Sequence, residues 1–156
     1  MNDRSTETAT GGMTVTRIFD APRELVFKAW TDPTQFAQWF GGKGAEVPVS
    51  TVSMDVRPGG DWRATMFAGP DRQEIHWHGS YREVVEPERL VFTLSDQPSD
   101  TAGDEVVTVV LTELGDSRTE MRVHQGGGHL TPEGYEMAKQ GYTAFFDAME
   151  ELLARR

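Results

Sequence analysis

The chain has 156 residues, of which 37% are hydrophobic and 10% aromatic, and this suffices for one domain with a packed core. Its formal net charge of −10 disfavours DNA, RNA and anionic membranes as partners, because binding to these surfaces requires basic patches. There is no long apolar run that predicts a transmembrane helix and no secretory signal pattern. The absence of cysteine excludes disulfides and thiolate chemistry, and we expect a cytoplasmic protein.

The first part of the chain predicts a tail, a strand and two short helices. Residues 1–12 are small and polar, so we expect a disordered tail before a single domain at residues 13–156. Residues 14–19 have the β-branched, alternating character of a strand. The two short helices that follow begin near Pro22 and at the Asp32-Pro33 pair, where the aspartate is suited to cap the helix.

The middle of the chain, from Glu46 to Val123, consists of runs in which apolar and polar residues alternate. Such alternation is typical of strands with one buried face. The run from Val47 to Val56 is predicted as one strand although it contains Pro48. About six consecutive strands joined by tight turns indicate an antiparallel meander. The predicted turns and loops lie at residues 57–60, 69–71, 86–88, 95–104, 114–116 and 125–130.

The last 26 residues, 131–156, predict one long amphipathic helix that Thr131 caps. Its apolar positions recur at steps of three and four and define one face. They are Ala138, Gly141, Tyr142, Phe145, Met149, Leu152 and Leu153. Gly141 lies in mid-helix, where glycine costs ~1 kcal/mol relative to alanine, so it indicates either close backbone packing or space for a ligand. The helix is long enough to cover the apolar face of a twisted sheet and leave a cavity between them.

Several short motifs resemble those of one protein family. Residues 19–33 and the Trp39-Phe40-Gly41 triplet resemble the opening signature of the heat-shock ATPase activator homologue (AHSA-like) family of the START-like/SRPBCC superfamily. Residues 55–63 resemble its second signature, and residues 79–83 together with 86–92 resemble its third. Gly141-Tyr142 stands where the family usually has Gly-Trp. The resemblance implies an α+β helix-grip fold, in which a curved sheet surrounds the C-terminal helix, and a deep apolar cavity, but it implies no particular reaction.

Ten residues are predicted to line the cavity through apolar contact, and the hydroxyl of Tyr142 is expected to add a hydrogen bond. They are Trp39, Phe40, Trp62, Met66, Trp77, Phe92, Val109, Tyr142, Phe145 and Met149. Tyr81 is a second candidate for a polar contact. We expect Asp61, Glu83 and Glu105 to lie on the surface or at the rim. No nucleophile–base pair is recognisable, so no catalytic residue is predicted.

Histidine is the residue type that would best suit a metal site in this chain. His76 and His78 share one side of a predicted strand, but Trp77 between them points inward, so both are expected to point outward. No third ligand lies near them in the sequence, and zinc needs three or four. His124 is predicted to be solvated, and His129 lies in a glycine-rich loop. We therefore expect neither a metal nor a tightly bound cofactor.

Three functions fit these patterns. The first is binding of a small apolar or aromatic molecule in the internal cavity. The second is an enzyme of the cyclase, dehydratase or hydrolase kind, which requires a polar group with a shifted pKa in the cavity. The third is a protein-interaction module, such as a co-chaperone or stress-response partner, which requires a contiguous exposed apolar patch. Homodimerisation and a chaperone partner both stay open.

Overall fold

The computed structural model describes residues 12–96, 105–128 and 130–155. The helices are α1 (Arg23–Thr31), α2 (Pro33–Trp39) and α3 (Pro132–Ala154). The strands are β1 (Met13–Phe19), β2 (Ala45–Glu46), β3 (Ser53–Met54), β4 (Asp61–Ala68), β5 (Gln73–Val85), β6 (Arg89–Leu94), β7 (Glu105–Gly115) and β8 (Arg118–Gly126). Among these helices, none is both long and apolar enough to cross a membrane. The predictions for the tail, for most of the loop at 95–104 and for His129 fall outside the described residues.

The strands form one open, antiparallel sheet of eight strands in the order β1-β8-β7-β6-β5-β4-β2, and β3 also pairs with β4. Strands β4 to β8 form the predicted meander, and β1 joins it beside the last strand. Irregular pairing interrupts the register between Tyr81 and Glu83 and between Glu113 and Gly115. Such bulges increase the local twist and bend of a sheet. The curved sheet packs against α3, and this confirms the α+β helix-grip fold.

The segment from Val47 to Val56 is not one strand, so that prediction was wrong. It consists of the two short strands β2 and β3, with a 3-10 turn at Val49–Thr51 between them. Pro48 has no backbone N–H to donate to a strand ladder. Its carbonyl instead accepts the Thr51 N–H at 2.9 Å and the Thr51 hydroxyl at 2.7 Å, which closes the turn.

The starts of α2 and α3 follow the capping chemistry that the sequence predicts. The Asp32 carboxylate accepts the Gln35 N–H at 3.2 Å, and the Thr131 hydroxyl oxygen accepts the Gly134 N–H at 3.0 Å. In each case a proline follows the cap, where its missing N–H costs nothing. These caps fix where α3 begins, and with 23 residues it extends about 35 Å across the sheet.

The buried side of α3 differs from the predicted one at Phe145 and Phe146, and also at Tyr135, which the sequence analysis did not place on this face. Its buried residues are Tyr135, Tyr142, Phe146, Met149 and Leu153. Phe146 is fully buried, although the sequence analysis did not place it on this face, and Phe145 is only half-buried. A half-buried flank runs alongside, formed by Gly134, Ala138, Gly141, Phe145, Ala148 and Leu152. On another side of the helix, Arg17 of β1 forms ion pairs with Asp147 and, at 2.8 Å, with Glu150.

The C-terminal half of α3 covers a core of aromatic rings. Trp30 and Trp39 meet edge to face at 4.8 Å, and Phe146 lies about 6 Å from both. Trp62 of β4 reaches over Gly79, the residue opposite it on β5, and donates its indole N–H to the Thr93 carbonyl at 3.0 Å. A Cβ on Gly79 would lie 2.6 Å from the Trp62 indole nitrogen, so this position requires glycine. Trp30 and Trp39 are therefore core anchors.

Candidate functional site

The ten residues predicted to line a cavity come together in one interior. Trp39, Phe40, Trp62, Met66, Phe92, Val109, Tyr142 and Met149 are buried, whereas Trp77 and Phe145 are half-buried and pack against them. Phe40 connects the two half-buried rings, because it lies 6.0 Å from Trp77 and 5.4 Å from Phe145. Phe145 in turn lies 5.7 Å from Tyr142. We refer to Trp77, Phe40, Phe145 and Tyr142 as the aromatic wall.

Between α1, α2 and the sheet, away from the half-buried rings, the core is closely packed. A cavity of only about 10 Å³ lies there, and it is lined by Trp30, Phe36, Met54, Trp62, Tyr81, Leu90 and Phe92. This volume holds at most about one water molecule. A ligand therefore fits the half-buried side of the interior, where Trp77 and Phe145 keep part of their surface, better than it fits among these rings.

Trp77 carries an unpaired polar atom. Its indole N–H is buried and has no acceptor among the described residues. The other three tryptophans each donate to a partner: Trp30 to the Met121 sulfur at 3.3 Å, Trp39 to the Ala29 carbonyl at 2.8 Å, and Trp62 to Thr93. Buried donors are almost always paired, so an orphaned one calls for an acceptor from a water or a ligand.

Gly141 leaves space beside the aromatic wall. A Cβ at this position would meet no heavy atom within 4 Å, apart from the helix's own nearby backbone. Close backbone packing is therefore not the reason for the glycine, and the space-making interpretation stays a prediction. Because Gly141 precedes Tyr142 and lies one helical turn before Phe145, any such space borders two rings of the wall.

A chain of hydrogen bonds links four buried polar residues between the sheet and the first half of α3. The Tyr142 hydroxyl donates to the Gln125 amide oxygen at 2.7 Å. The amide nitrogen of Gln125 donates to one Glu105 carboxylate oxygen at 3.4 Å, and the Tyr135 hydroxyl donates to the other at 3.3 Å. We refer to Tyr142, Gln125, Glu105 and Tyr135 as the polar network. The prediction that Glu105 lies on the surface or rim was wrong, since it is 8% exposed.

Strand parity explains why these polar groups face inward. In β7 every second residue from Glu105 to Leu111 points inward. Glu105 is therefore the first member of the inward row that continues with Val107, Val109 and Leu111. In β8, Met121 and Val123 are followed by Gln125, which the sequence analysis had assigned to a flexible link. Val107 pairs with Gln125 across the strands, so the two polar ends are neighbours. Extending the alternation by one step would have found both residues.

Comparison with known families assigns this architecture. Residues 20–154 match the family model described as "Activator of Hsp90 ATPase homolog 1-like protein". The chain belongs to this family. No curated protein is significantly similar to it.

Solved structures share the fold of this family member along most of its length. Protein CV1439 from Chromobacterium violaceum is 26% identical with a TM-score of 0.78, and the match covers 91% of this chain and 96% of that one. The AHSA1 (SPO3351) protein from Silicibacter pomeroyi is 20% identical with a TM-score of 0.79, at 92% and 98% coverage. Protein NE0264 from Nitrosomonas europaea is 22% identical with a TM-score of 0.77, at 94% and 96% coverage.

In this AHSA1-like chain all the interior phenols hold their protons more firmly than free tyrosine. Burial raises the pKa of Tyr142, and the negative charge of Glu105 raises it further. Burial also raises the pKa of Tyr135, as does its hydrogen bond to Glu105, while a hydrogen bond with the Gly128 backbone opposes the shift. At neutral pH both hydroxyls are therefore donors, as their contacts require. Tyr81 is buried beside Phe92 at 6.3 Å, outside the polar network.

The remaining polar candidates of this family member lie away from the interior. Asp61 accepts the Ser80 hydroxyl at 2.9 Å, and Glu83 pairs with Arg89 at 2.8 Å; both carboxylates are exposed, as predicted. His76 is exposed and lies 2.9 Å from Glu74, and with His78 it borders a surface depression of about 430 Å³. Within the described part of the chain, no three histidine, aspartate or glutamate side chains are grouped to hold a metal.

Proposed function

We propose that this protein is a cytoplasmic binder of a small apolar or aromatic molecule, which it holds between the sheet and α3. The observation that carries the proposal is the buried, unpaired indole N–H of Trp77 within a half-buried aromatic wall. An aromatic ligand with one acceptor atom would stack against Phe40 and Phe145 and satisfy this donor. The open space at Gly141 supports the same location for the ligand.

Binding at this place uses the two kinds of surface that a small-molecule site needs. The aromatic wall supplies apolar contact, and the indole N–H and the polar network supply a few directional hydrogen bonds. Because Phe145 and Trp77 are half-buried, a ligand would bury the rest of their surface, at about 25 cal/mol per Å² of apolar area removed from water. The closely packed rings behind them serve as a rigid support.

The test is native mass spectrometry of protein purified from its own source. We expect a retained small molecule with the wild-type chain and clear loss of it with Trp77→Phe, which keeps a ring but removes the donor. Met137→Ala is the control, because Met137 is 72% exposed on α3, and it should retain the ligand. Equal retention by wild type and Trp77→Phe would refute the proposed site.

The polar network favours one second candidate, an enzyme of the cyclase, dehydratase or hydrolase kind. Such an enzyme needs an interior acid or base, and Glu105 with the two tyrosines supplies titratable groups. The hydroxyls already donate within the network, however, and the two hydroxyl–histidine contacts, Thr14 with His124 and Thr65 with His76, lie at exposed positions outside it, so binding fits the geometry better. Conversion of the retained molecule by wild type but not by Glu105→Gln would favour the enzyme.

A further inference from the structure

The three hydrogen bonds of the polar network all run toward Glu105, in the sense from donor to acceptor. Tyr142 donates to Gln125, Gln125 donates to Glu105, and Tyr135 donates to Glu105 from the other side. Each phenol has one hydrogen and has used it. What the network still offers is mainly acceptor capacity on the carboxylate and the phenol oxygens, although Tyr135 also has a hydrogen bond with the Gly128 backbone and the Gln125 amide keeps one hydrogen.

Glu105 is buried, but it has only long hydrogen bonds and no ion pair with a lysine or arginine of the described residues to offset the loss of its hydration. Its two hydrogen bonds measure 3.3 and 3.4 Å, longer than the usual range for a carboxylate. No lysine or arginine of the described chain forms an ion pair with it. The ion pairs are instead Arg17 with Asp147 and Glu150, Arg23 with Glu113, Lys43 with Glu151, Arg57 with Asp55, Arg72 with Glu46, and Arg89 with Glu83. A buried carboxylate without a cation is costly, and no lysine or arginine of the described residues offsets the charge of Glu105.

The geometry points to a lipophilic amine as the ligand: a protonated amino group pairs with Glu105 while the apolar part of the molecule lies on the aromatic wall. This inference rests on the proposed function and narrows its ligand class. A primary ammonium group has three donors and no acceptor, which complements the remaining lone pairs of the Glu105 carboxylate and the phenol oxygens. Tyr142 belongs to both the polar network and the aromatic wall, so the two halves of such a ligand meet there.

Aromatic rings lie at the Tyr142 end of the polar network. Tyr142 stacks on Phe146 at 5.4 Å, and Phe145 meets Tyr142 edge to face. Ring faces within about 6 Å attract an ammonium group. The net charge of −10 also raises the local concentration of cations around the protein and speeds their arrival. The experiment must therefore distinguish the general attraction of cations to an acidic protein from a specific ion pair with Glu105.

The experiment compares three probes that share one ring system: 1-naphthylmethylamine, 1-naphthylmethanol and the trimethylated ammonium form of the amine. Affinities are measured by isothermal titration calorimetry at neutral pH. We expect the amine to bind about 10-fold more tightly than the alcohol, because the buried carboxylate accepts a stronger hydrogen bond from a charged ammonium group than from a neutral hydroxyl. The trimethylated form keeps the charge but has no N–H, so it should bind more weakly than the amine.

The variants locate the effect. Glu105→Gln keeps the shape of the side chain and should abolish the preference for the amine over the alcohol. Glu113→Gln, on the same strand but exposed, should preserve it. The probe series on the wild-type chain decides the matter even if Glu105→Gln does not fold. Equal binding of amine and trimethylated form would show attraction by the acidic surface and overturn the inference.

Two further outcomes separate this inference from the proposed function. If amine and alcohol bind equally and saturably, with binding lost in Trp77→Phe, the proposed site stands and the role of Glu105 fails. If none of the probes binds, the proposed function fails and this inference fails with it. Survival of the amine preference in a folded Glu105→Gln would also overturn the assignment of Glu105.

Discussion

Trp62 and Trp77 lie on neighbouring strands, but only one of their two indole N–H groups has a hydrogen-bond acceptor. Trp62 donates to the Thr93 carbonyl, whereas Trp77 has a buried donor without an acceptor. Trp62→Phe should lower the free energy of unfolding by about 1–3 kcal/mol, because it leaves a buried carbonyl unpaired. Trp77→Phe should cost less, since it breaks no hydrogen bond. Urea unfolding measures both, and equal losses would contradict the assignment of Trp77 as unpaired.

The three tyrosines of the chain make stability fall at alkaline pH. Burial raises the pKa of Tyr81 and Tyr142, and of Tyr135 together with its bond to Glu105, above the ordinary value of about 10. Below pH ~10 the folded and unfolded states hold the same phenol protons; above it, the unfolded state releases them first. Stability should therefore be lost as pH rises through the alkaline range.

Ultraviolet absorbance of tyrosinate, recorded together with circular dichroism, checks this prediction. We expect tyrosinate to appear only as the fold is lost, and the loss to be less steep in Tyr142→Phe. Ionisation of all three phenols near pH 10 in a folded chain would contradict the burial of their hydroxyl groups.

Single polar residues are also where the sequence was hardest to interpret. The apolar members of the site were predictable, because burial follows hydrophobicity and strand parity. Glu105 was not, since a carboxylate ordinarily lies on the surface and only its place in the β7 alternation indicates burial. Gln125 was assigned to a link because three glycines follow it, although β8 continues to Gly126.

Among the elements, α3 contains Gly141, which lowers the stability of the helix although no close packing requires a glycine there. Gly141→Ala should raise the free energy of unfolding by ~1 kcal/mol, because alanine favours helix and the new Cβ meets open space. Gly134→Ala is the comparison, and it should gain less, because its Cβ would lie 3.3 Å from the Leu130 Cβ. Thermal unfolding measures both. A destabilised Gly141→Ala would contradict the open space.

If the space at Gly141 belongs to a ligand, the same substitution has a second effect. Gly141→Ala should weaken binding of 1-naphthylmethanol while it stabilises the empty protein. Calorimetry on the two glycine variants tests this, since Gly134 lies two turns away from the wall on the same flank. Unchanged affinity in Gly141→Ala would separate the glycine from the binding site.

The elements themselves were largely predictable, and the exceptions have local causes. Caps and prolines fixed the starts of α2 and α3, and alternation with turn residues marked β4 to β8. The segment around Pro48 was misassigned because its valines have strand character while the missing N–H favours a turn. Phe145 and Phe146 adjoin in a helix, and periodicity alone does not decide which of two adjacent rings is buried more deeply.

For the whole molecule, the space between the sheet and α3 is divided along the helix. The half near the C-terminus of α3 is aromatic and closely packed, and the half near its N-terminus holds the polar network. The aromatic wall lies at their junction, with Tyr142 in both. Family membership and the fold establish the architecture, and this division supports the proposal of a ligand with two chemically different ends.

In the proposed function, a small molecule binds at the aromatic wall and accepts the Trp77 indole hydrogen. The most direct measurement is a ¹H–¹⁵N NMR titration with 1-naphthylmethanol, which follows the four indole resonances of the chain. We expect the Trp77 indole signal to move most and to saturate, and those of Trp30, Trp39 and Trp62 to stay nearly fixed. A titration that leaves the Trp77 signal in place, or that moves all four signals alike, would contradict the account.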